Sequence, residues 1–232
     1  MQPYWLPYIG YFQLMGAVDA FVLYDDVQWM QRSWINRNRI LVEGQPHWLS
    51  CAVAQGSARA PINQRTLPLG PGVAAADQAR LLRQIEAAYR KAPQFAAVWP
   101  LVQACVQAQG PGVAVYVAQG LRWIAGHLGI HTPLVWSSEL SKAAGLKGQD
   151  HILEICRVMG ASHYINPIGG QALYDRAAFA AAGIELAFLQ ARPVTYPQFA
   201  GHAPVPFLSI IDVLMFNDAS AVAGLLQQYD LC

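Results

Sequence analysis

The sequence predicts an α/β fold: a mainly parallel, Rossmann-like sheet flanked by helices, with an inserted β-hairpin and a helical layer. Two patterns predict it. After His131 the chain alternates short apolar strands with amphipathic helices, and right-handed crossovers turn this order into a parallel sheet. In the middle of the chain, apolar residues recur at helical spacing instead. We expect one domain over residues 1–232, with the helical insertion at about 75–130.

The first elements carry strong local signals. The opening run MQPYWLPYIGYFQL is rich in prolines and aromatic residues, which makes it poor material for a helix or a central strand. Over residues 17–24 a short helix should give way to a buried strand that ends on Asp25 and Asp26. A strand pair, 39–42 and 47–53, is joined by a turn at residues 43–46. A loop rich in glycine, proline, alanine and serine follows over 55–72.

Periodicity predicts the later elements. The helical layer should contain three helices, at 75–89, 95–107 and 113–128. Beyond it we expect three strands, at 132–136, 163–166 and 184–189. Two helices should separate them, at 149–159 and 171–182. The apolar stretch 208–216 indicates a last helix, with Ser209 or a neighbour as its cap.

Composition excludes several classes of function. Charged residues make up only 12% of the chain and the formal net charge is +1, so nucleic acid is not an expected partner. No stretch approaches the roughly 20 apolar residues of a membrane span, and no signal-peptide pattern opens the sequence. We therefore expect a cytoplasmic protein that binds a small molecule. The four cysteines lack metal or disulfide spacing and should pack as small buried hydrophobic side chains.

Two adjacent carboxylates, Asp25 and Asp26, form the first candidate site, with Gln28 close behind them. They follow a predicted strand, and ligands of open α/β sheets bind at the carboxyl ends of strands. Carboxylates at such a place can hold Mg²⁺, which usually accompanies a nucleotide phosphate. One of them can instead act as a base with a raised pKa. The alternative is that both cap a turn or the next helix.

The segment after these carboxylates concentrates arginine, asparagine and tryptophan. Arginine presents a planar fork for phosphate or carboxylate, while asparagine and tryptophan can orient a sugar or a base. Alternation places the asparagines on one face of an extended segment and the arginines on the other, so both rows cannot face one ligand. A charged, exposed edge strand is the alternative. The candidate ligand contacts here are Trp34, Asn36, Arg37, Asn38 and Arg39.

Two further candidate clusters lie after later predicted strands. Ser137 and Ser138 follow one strand, and Lys147 and Asp150 flank the start of the next helix, where an anionic group can bind. A plain turn with a solvated lysine is the alternative. The other cluster leads from a strand through a glycine pair, which can let backbone amides approach a ligand or simply make the turn. Its members are Asn166, Gly169, Gly170 and Tyr174.

Long motifs closely resemble a known bacterial family. MQPYWLPYIGYFQLMGAVDAFVLYDDVQ and WINRNRI resemble the opening of the WbqC-like family. The resemblance continues through VWSSEL, KGQDHILEIC, GASHYINPIGGQALY, GIEL, YPQF and LSIIDVLMFN, and so covers nearly the whole chain. It implies a role in making or decorating an activated sugar of surface polysaccharides such as O-antigen, or of natural products. Attachment of glycine or another acyl group to an amino sugar is the reaction it suggests.

The resemblance also shapes the candidate site. Gln2, Tyr4 and Gly10 of the first motif and Gln198 of YPQF join the expected substrate contacts. Members of the family usually carry a few apolar residues ahead of the first motif as an initial strand. Because the sequence begins at Met1, we expect that strand to be short or truncated. His151 stands where arginine is common, which removes a charged contact expected there.

A more distant comparison concerns the opening motif alone. Pro7-Tyr8-Ile9-Gly10-Tyr11 occupies the place where nucleotidylyltransferases and pantothenate synthetases carry P-x-H-x-G-H, a strand-loop-helix that binds ATP phosphates. Tyr8 and Tyr11 stand at the histidine places and can donate hydrogen bonds to phosphate, but they are uncharged at neutral pH. The comparison implies a similar fold with lost or altered ATP chemistry. We include both tyrosines among the candidate catalytic residues, with Asp25 and Asp26.

Three functions follow as hypotheses. The first is an enzyme that forms an amide by transferring an acyl or aminoacyl group to the amine of a nucleotide-linked amino sugar. The second is a nucleotidylyltransferase-like enzyme that uses ATP. The third is a non-catalytic sugar-nucleotide-binding protein of a polysaccharide assembly complex. The sequence names no cofactor beyond Mg²⁺ with a nucleotide or acyl donor, and it leaves an oligomeric state open.

Overall fold

The computed structural model describes residues 1–68, 72–110, 112–201 and 203–232, so residues 69–71 of the predicted 55–72 loop lie outside it. Its helices are α1 (Ile9–Gly16), α2 (Val73–Tyr89), α3 (Phe95–Val106), α4 (Val113–His127), α5 (Gly148–Met159), α6 (Arg176–Ala181), α7 (Ile210–Phe216) and α8 (Ala219–Leu226). Its strands are β1 (Phe21–Leu23), β2 (Arg37–Val42), β3 (Gln45–Ser50), β4 (Leu134–Trp136), β5 (His163–Pro167), β6 (Glu185–Ala191) and β7 (Tyr229–Leu231).

The strands form three small sheets. β1 pairs with β4 in parallel, and β2 pairs with β3 as an antiparallel hairpin. The third sheet has the order β5-β6-β7, with β5 and β6 parallel and β7 antiparallel. The chain is therefore a mixed α/β protein. The single large Rossmann-like sheet that the sequence predicts is not found among the described residues.

A gap in the strand order explains this difference. β5 follows β4 and α5 in the chain, yet β5 pairs with β6 and not with β1 or β4. A cleft instead separates residues 19–22 beside β1 from residues 162–166 of the β5 region. The alternating pattern predicted β4, α5, β5 and β6, and the predicted helix 171–182 is observed as α6 over Arg176–Ala181. Pattern alone does not state which strands become neighbours.

From Ile9 onward the opening run belongs to helix α1, contrary to the sequence prediction. Pro3 and Pro7 both precede α1, so neither removes a hydrogen bond from its interior. All its residues from Ile9 to Met15 are buried. The aromatic residues therefore enter the core, where Tyr11, for example, is 1% exposed. Tertiary burial outweighs the weak local propensity of this segment.

The helical layer agrees with the sequence prediction. α2, α3 and α4 lie within two residues of the predicted helices, and α2 and α3 pack against one another, as do α3 and α4. The last predicted helix is observed as α7, and Ser209 caps it by accepting a hydrogen bond from the Ile211 backbone. The sequence did not predict α8 or β7, which are both short. No helix of the described part of the chain is long and apolar enough to cross a membrane.

Two hydrophobic clusters lie on opposite faces of the strands. Phe21 and Leu23 of β1 belong to the larger cluster, whereas Val22 between them packs against the smaller one. In β6, likewise, Leu189 belongs to the larger cluster and Phe188 to the smaller. Because successive side chains of a strand point to opposite faces, β1 and β6 each divide the two clusters. Helix α1 contributes to the larger cluster and α5 to the smaller.

Candidate functional site

The pairing of β1 with β4 brings two polar segments together. Leu23 is opposite Trp136 in this parallel register. The carboxyl ends of both strands therefore meet at one edge, where Asp25 and Asp26 follow β1 and Ser137 and Ser138 follow β4. Such an edge is where ligands bind in sheets of this type. The sequence predicted both groups separately, and the structure brings them into contact.

Asp25 joins these two segments. It is 2% exposed, and its carboxylate accepts hydrogen bonds from the Ser138 backbone N–H at 3.0 Å and from Ser138 Oγ at 2.7 Å. Its backbone carbonyl also accepts a hydrogen bond from the N–H of Asn63. Since these contacts satisfy the side chain, Asp25 holds the loops in place and has little capacity left for a ligand.

Asp26 is paired with Lys142. Lys142 Nζ donates to Asp26 Oδ2 at 2.5 Å, to Ser137 Oγ at 2.7 Å and to the Ser137 carbonyl. The lysine side chain is 8% exposed and the aspartate side chain 22%. Burial acts to raise the pKa of Asp26, but hydrogen bonds from Lys142 and Ser137 and the lysine charge hold that pKa below its ordinary value. Asp26 Oδ1 is buried and has no hydrogen-bond partner among the described residues.

His151 lies beside this pair, in the first turn of α5. Its Nδ1 is 2.8 Å from the hydroxyl of Tyr24, and its Nε2 is 3.8 Å from Asp26 Oδ2. Burial lowers the pKa of His151 from its ordinary value of 6.5, although the charge of Asp26 acts in the opposite direction. Burial also raises the pKa of Tyr24, which keeps its hydroxyl protonated. At neutral pH the site therefore holds an uncharged imidazole beside an ion pair.

Side chains of β5 and of the turn that follows it form a second wall of the site. The hydroxyls of Tyr164 and Tyr174 are 3.2 Å apart, and the Tyr164 hydroxyl donates to Asn166 Oδ1 at 3.4 Å. Tyr174 is near enough to Tyr24 to raise the pKa of Tyr24. This wall therefore adjoins Tyr24 and its partner His151. A Cβ at Gly170 would lie 2.1 Å from Asn166 Nδ2, so the glycine makes room for the amide.

Trp48, Arg37 and Arg39 lie on the outer face of the hairpin, together with Trp34 from the segment before it. The Trp34 and Trp48 rings are 5.3 Å apart, and both are exposed. The Arg37 guanidinium lies 4.1 Å from the centre of the Trp48 ring, while Arg39 lies within 6 Å of both rings. Arg39 also donates to the backbone of Phe207 at 3.2 Å. This face presents aromatic surface and positive charge to solvent.

The asparagines of the same segment point inward, as the alternation predicts. Asn38 is 3% exposed and donates to the Leu6 carbonyl at 2.8 Å, and Asn36 donates to the Cys51 carbonyl at the same distance. These bonds satisfy backbone groups beside the core. Asn36 and Asn38 therefore have structural contacts, and their predicted role in binding a ligand stays a prediction.

The opening motif is also engaged in packing. Tyr11 is buried and donates to the Gln2 backbone carbonyl at 3.0 Å, with the Tyr4 ring 5.8 Å away. A Cβ at Gly10 would lie 2.4 Å from the Tyr8 ring, so this glycine accommodates the tyrosine. Tyr8 is partly exposed. These packing contacts account for the residues of the motif without a bound phosphate.

The remaining candidate residues are dispersed. Lys147 and Asp150 are exposed at the start of α5, and Gly169 is exposed as well. Gln28 donates to the Ala58 carbonyl at 3.0 Å. None of these residues has a described hydrogen bond to the Asp26–Lys142 pair.

Gln198 belongs to a separate buried network around Asp212. Gln198 Nε2, Tyr196 Oη and Tyr89 Oη donate to the Asp212 carboxylate at 2.6, 2.7 and 2.8 Å. Asp212 is fully buried, and burial raises its pKa in spite of these donors. The network joins the YPQF and LSIIDVLMFN motifs. It gives both a structural role that the sequence reasoning did not include.

Sequence reasoning also omitted Lys142 and the site contacts of His151 and Tyr24. Lys142 follows Ser137 by five residues in SSELSK, so its closeness to the strand end was a usable signal. Lys147, at the border of the predicted helix, is the lysine that the sequence favours instead. No spacing rule relates Tyr24 to His151, since tertiary folding alone brings them together.

Comparison with known proteins identifies the family. The profile of the WbqC-like protein family matches residues 2–223. The chain belongs to this family. The chain is also similar to the uncharacterized protein Rv1507c of Mycobacterium tuberculosis, which is 29% identical over 221 residues, covering 94% of this chain and 91% of the relative. No solved structure matches the chain significantly.

A metal site is not apparent in this WbqC-like protein. Within residues 1–68, 72–110, 112–201 and 203–232, no three or more His, Cys, Asp or Glu side chains are grouped to hold an ion. The positive charge beside Asp26 comes from Lys142.

Proposed function

We propose that this WbqC-like protein transfers an acyl or aminoacyl group to the amine of a small molecule, with His151 as general base. One observation carries the proposal: His151 Nε2 lies 3.8 Å from Asp26 Oδ2, while Tyr24 holds the other ring nitrogen. A neutral imidazole oriented at one nitrogen and facing a carboxylate at the other is suited to accept a proton. Asp26 then stabilises the imidazolium that forms when His151 accepts the proton.

The reaction follows from these positions. The amine nitrogen of the acceptor attacks the carbonyl carbon of the donor, and its N–H proton passes to His151 Nε2. The resulting imidazolium faces Asp26. The bond between the carbonyl carbon and the leaving group then breaks, and His151 returns the proton to the leaving group. The tautomer needed has Nδ1–H donating to Tyr24 Oη, which is an assignment from these contacts.

The surroundings favour an amine that is part of a sugar. Asp26 Oδ1 is buried without a partner and can accept a hydrogen bond from the incoming amine. Tyr164, Tyr174 and Asn166 supply hydroxyl and amide groups nearby, which suit the hydroxyls of a sugar ring. A nucleotide-linked amino sugar of surface polysaccharide or natural-product synthesis is the acceptor we propose.

Non-catalytic binding of the same sugar is the second candidate. Lys142 directs its three donors to Asp26 and to Ser137, so it has none free for a developing oxyanion. A site that lacks such a donor can bind an amino sugar without accelerating its acylation. Nucleotidyl transfer has less support, because Tyr8, Gly10 and Tyr11 have packing explanations.

The test begins with a ligand screen. Thermal-shift measurements against UDP- and dTDP-linked amino sugars and ATP, each with and without Mg²⁺, should show a rise in Tm with an amino sugar. The same sugar is then incubated with acetyl-CoA or a glycyl thioester, and mass spectrometry detects the amide. The rate should rise with pH through a pKa below 6.5, since His151 accepts protons only when neutral.

Two variants separate the candidates. His151→Gln keeps a polar side chain but no base, so it should lower the rate at least about 100-fold while leaving sugar binding. His127→Gln, at the exposed end of α4, is the matched control and should leave the rate unchanged. An unchanged rate in His151→Gln would overturn the base assignment. Binding without amide formation in the native chain would favour the non-catalytic candidate.

A further inference from the structure

The outer face of the β2–β3 hairpin is an exposed surface that the proposed reaction does not use. Arg39 is opposite Trp48 in the antiparallel register, and opposite residues share a face of the sheet. Arg37 precedes Arg39 by two residues and therefore projects from the same face. Trp34 joins them from the segment before β2. None of these four side chains has a described hydrogen bond or ion pair to the residues around the proposed general base.

The two arginines of this face carry charge that no described carboxylate neutralises. The ion pairs among the described residues include neither Arg37 nor Arg39. The Arg39 guanidinium donates to the Phe207 carbonyl, and the Arg37 guanidinium has no described acceptor. Stacking on the Trp48 ring, 4.1 Å from its centre, instead holds the planar fork of Arg37 in place. A guanidinium fixed in this way is prepared to bind an anionic group.

Aromatic rings lie beside these charges and are open to solvent. Trp48 is 44% exposed and Phe207 is 45% exposed. Phe207 has a φ of 56°, in the left-handed region that a bulky residue rarely adopts. Its carbonyl accepts from Arg39 and its ring meets the Tyr8 ring edge-on, so this strained residue is fixed next to the arginine–tryptophan cluster. A phenyl ring has no hydrogen-bonding group, so contact with an apolar medium would stabilise it.

The chemistry of this surface fits the boundary of an anionic lipid bilayer. Tryptophan is enriched there, because its ring packs on acyl chains while its N–H stays among the headgroups. Arginine suits the same depth, with its stem on apolar groups and its guanidinium on lipid phosphates. A soluble phosphate compound would pair with the arginines but would leave Phe207 in water. Pairing of this face with the same face of a second copy would set arginines against arginines.

We propose that the outer face of the hairpin, together with Trp34 and Phe207, docks this protein on an anionic lipid surface. The rings of Trp34, Trp48 and Phe207 enter the boundary between headgroups and acyl chains, while Arg37 and Arg39 bind lipid phosphates. The formal net charge of +1 supplies little long-range attraction, so binding depends on this local cluster. The docking is independent of the proposed acyl transfer.

The test is co-sedimentation of the full chain with lipid vesicles. One set contains phosphatidylcholine with about 30% phosphatidylglycerol, and the other contains phosphatidylcholine alone. The partition coefficient should be at least about tenfold higher on the anionic vesicles, and raising NaCl from about 0.1 M to about 0.5 M should remove most of that difference. Brominated acyl chains should quench the fluorescence of the inserted tryptophans, which gives a readout that needs no variant.

Variants locate the contact on this face. Arg37→Gln with Arg39→Gln should lower the partition coefficient about 25-fold, because each arginine near an anionic surface contributes about fivefold. Trp34→Ser with Trp48→Ser should lower it at least about tenfold and should remove the quenching by brominated lipid. Trp123→Ser, on α4 and 42% exposed, is the matched control and should leave both readouts unchanged. Thermal unfolding checks that each variant is folded.

Three outcomes would overturn the proposal. Equal partition on anionic and neutral vesicles would mean that the face does not bind lipid. Undiminished binding of the tryptophan variant would mean that another surface contacts the vesicle. The third control adds glycerol 3-phosphate at the phosphate concentration of the vesicles, against NaCl of equal ionic strength. Displacement by glycerol 3-phosphate alone would assign the face to a soluble phosphate compound, whereas we expect none.

Discussion

Adjacent aspartates perform different tasks in this protein. Asp25 accepts two hydrogen bonds from Ser138 and is buried, while Asp26 has one oxygen on Lys142 and the other without a partner. The sequence predicted that each aspartate acts either as a base or as a metal ligand. Their neighbours in space distinguish them, because a satisfied carboxylate is a structural group and an unsatisfied one can accept a ligand.

Asp25→Asn should destabilise the fold. The neutral amide keeps the bond from the Ser138 backbone N–H only as a weaker, uncharged one, and the Ser138 hydroxyl must turn to accept from the new N–H. We expect the free energy of unfolding to fall by about 2 kcal/mol in urea titration. Ser138→Ala removes only the hydroxyl bond and should cost about 1 kcal/mol. Equal stabilities of Asp25→Asn and the native chain would show that the two loops are held by other contacts.

The conformation of a helix or a turn depends on the residues packed against it as much as on its own residues. α1 forms from a segment of low helix propensity because its residues from Ile9 to Met15 are buried. After β5, the turn through Gly169 and Gly170 contains two glycines with different constraints. Gly170 faces Asn166 Nδ2, while nothing lies within 4 Å of a Cβ at Gly169.

Alanine substitutions should therefore separate these glycines. Gly170→Ala forces Asn166 or the turn to move, since the added Cβ would lie 2.1 Å from Nδ2. We expect a loss of about 1–3 kcal/mol in the free energy of unfolding. Gly169→Ala is the matched control and should change it by less than about 0.5 kcal/mol. Comparable losses in both would indicate that backbone freedom, and not the Asn166 contact, requires glycine here.

In the molecule as a whole, two hydrophobic clusters pack on opposite faces of the strands that lie between them. Its polar edge joins distant parts of the chain, since Asp26 contacts both Lys142, in the loop after β4, and His151 of α5. The pKa of Asp26 is lower in the folded protein than its ordinary value of 3.8. Ionised Asp26 therefore stabilises the fold above that value, and this contribution is lost as pH falls through the folded pKa.

Asp26→Asn should reveal this linkage. At about pH 7 the variant should be less stable than the native chain by about 1–3 kcal/mol, and at about pH 3 the difference should shrink as the native carboxylate protonates. Urea titrations at both pH values measure it. Asp19→Asn, at an exposed position, should show no difference at either pH. A deficit of the same size at both pH values would mean that the charge of Asp26 does not stabilise the fold.

The sequence by itself determined the family, most of the strands and helices, and the two polar segments that follow β1 and β4. These are local properties, because periodicity, caps and motifs are contained in neighbouring residues. Only the tertiary structure decided that Tyr11 and Asn38 serve the core, that Lys142 and His151 meet Asp26, and that a cleft divides the predicted sheet. Such outcomes depend on contacts between residues far apart in the chain, and burial and hydrogen bonding in those contacts outweigh local preference.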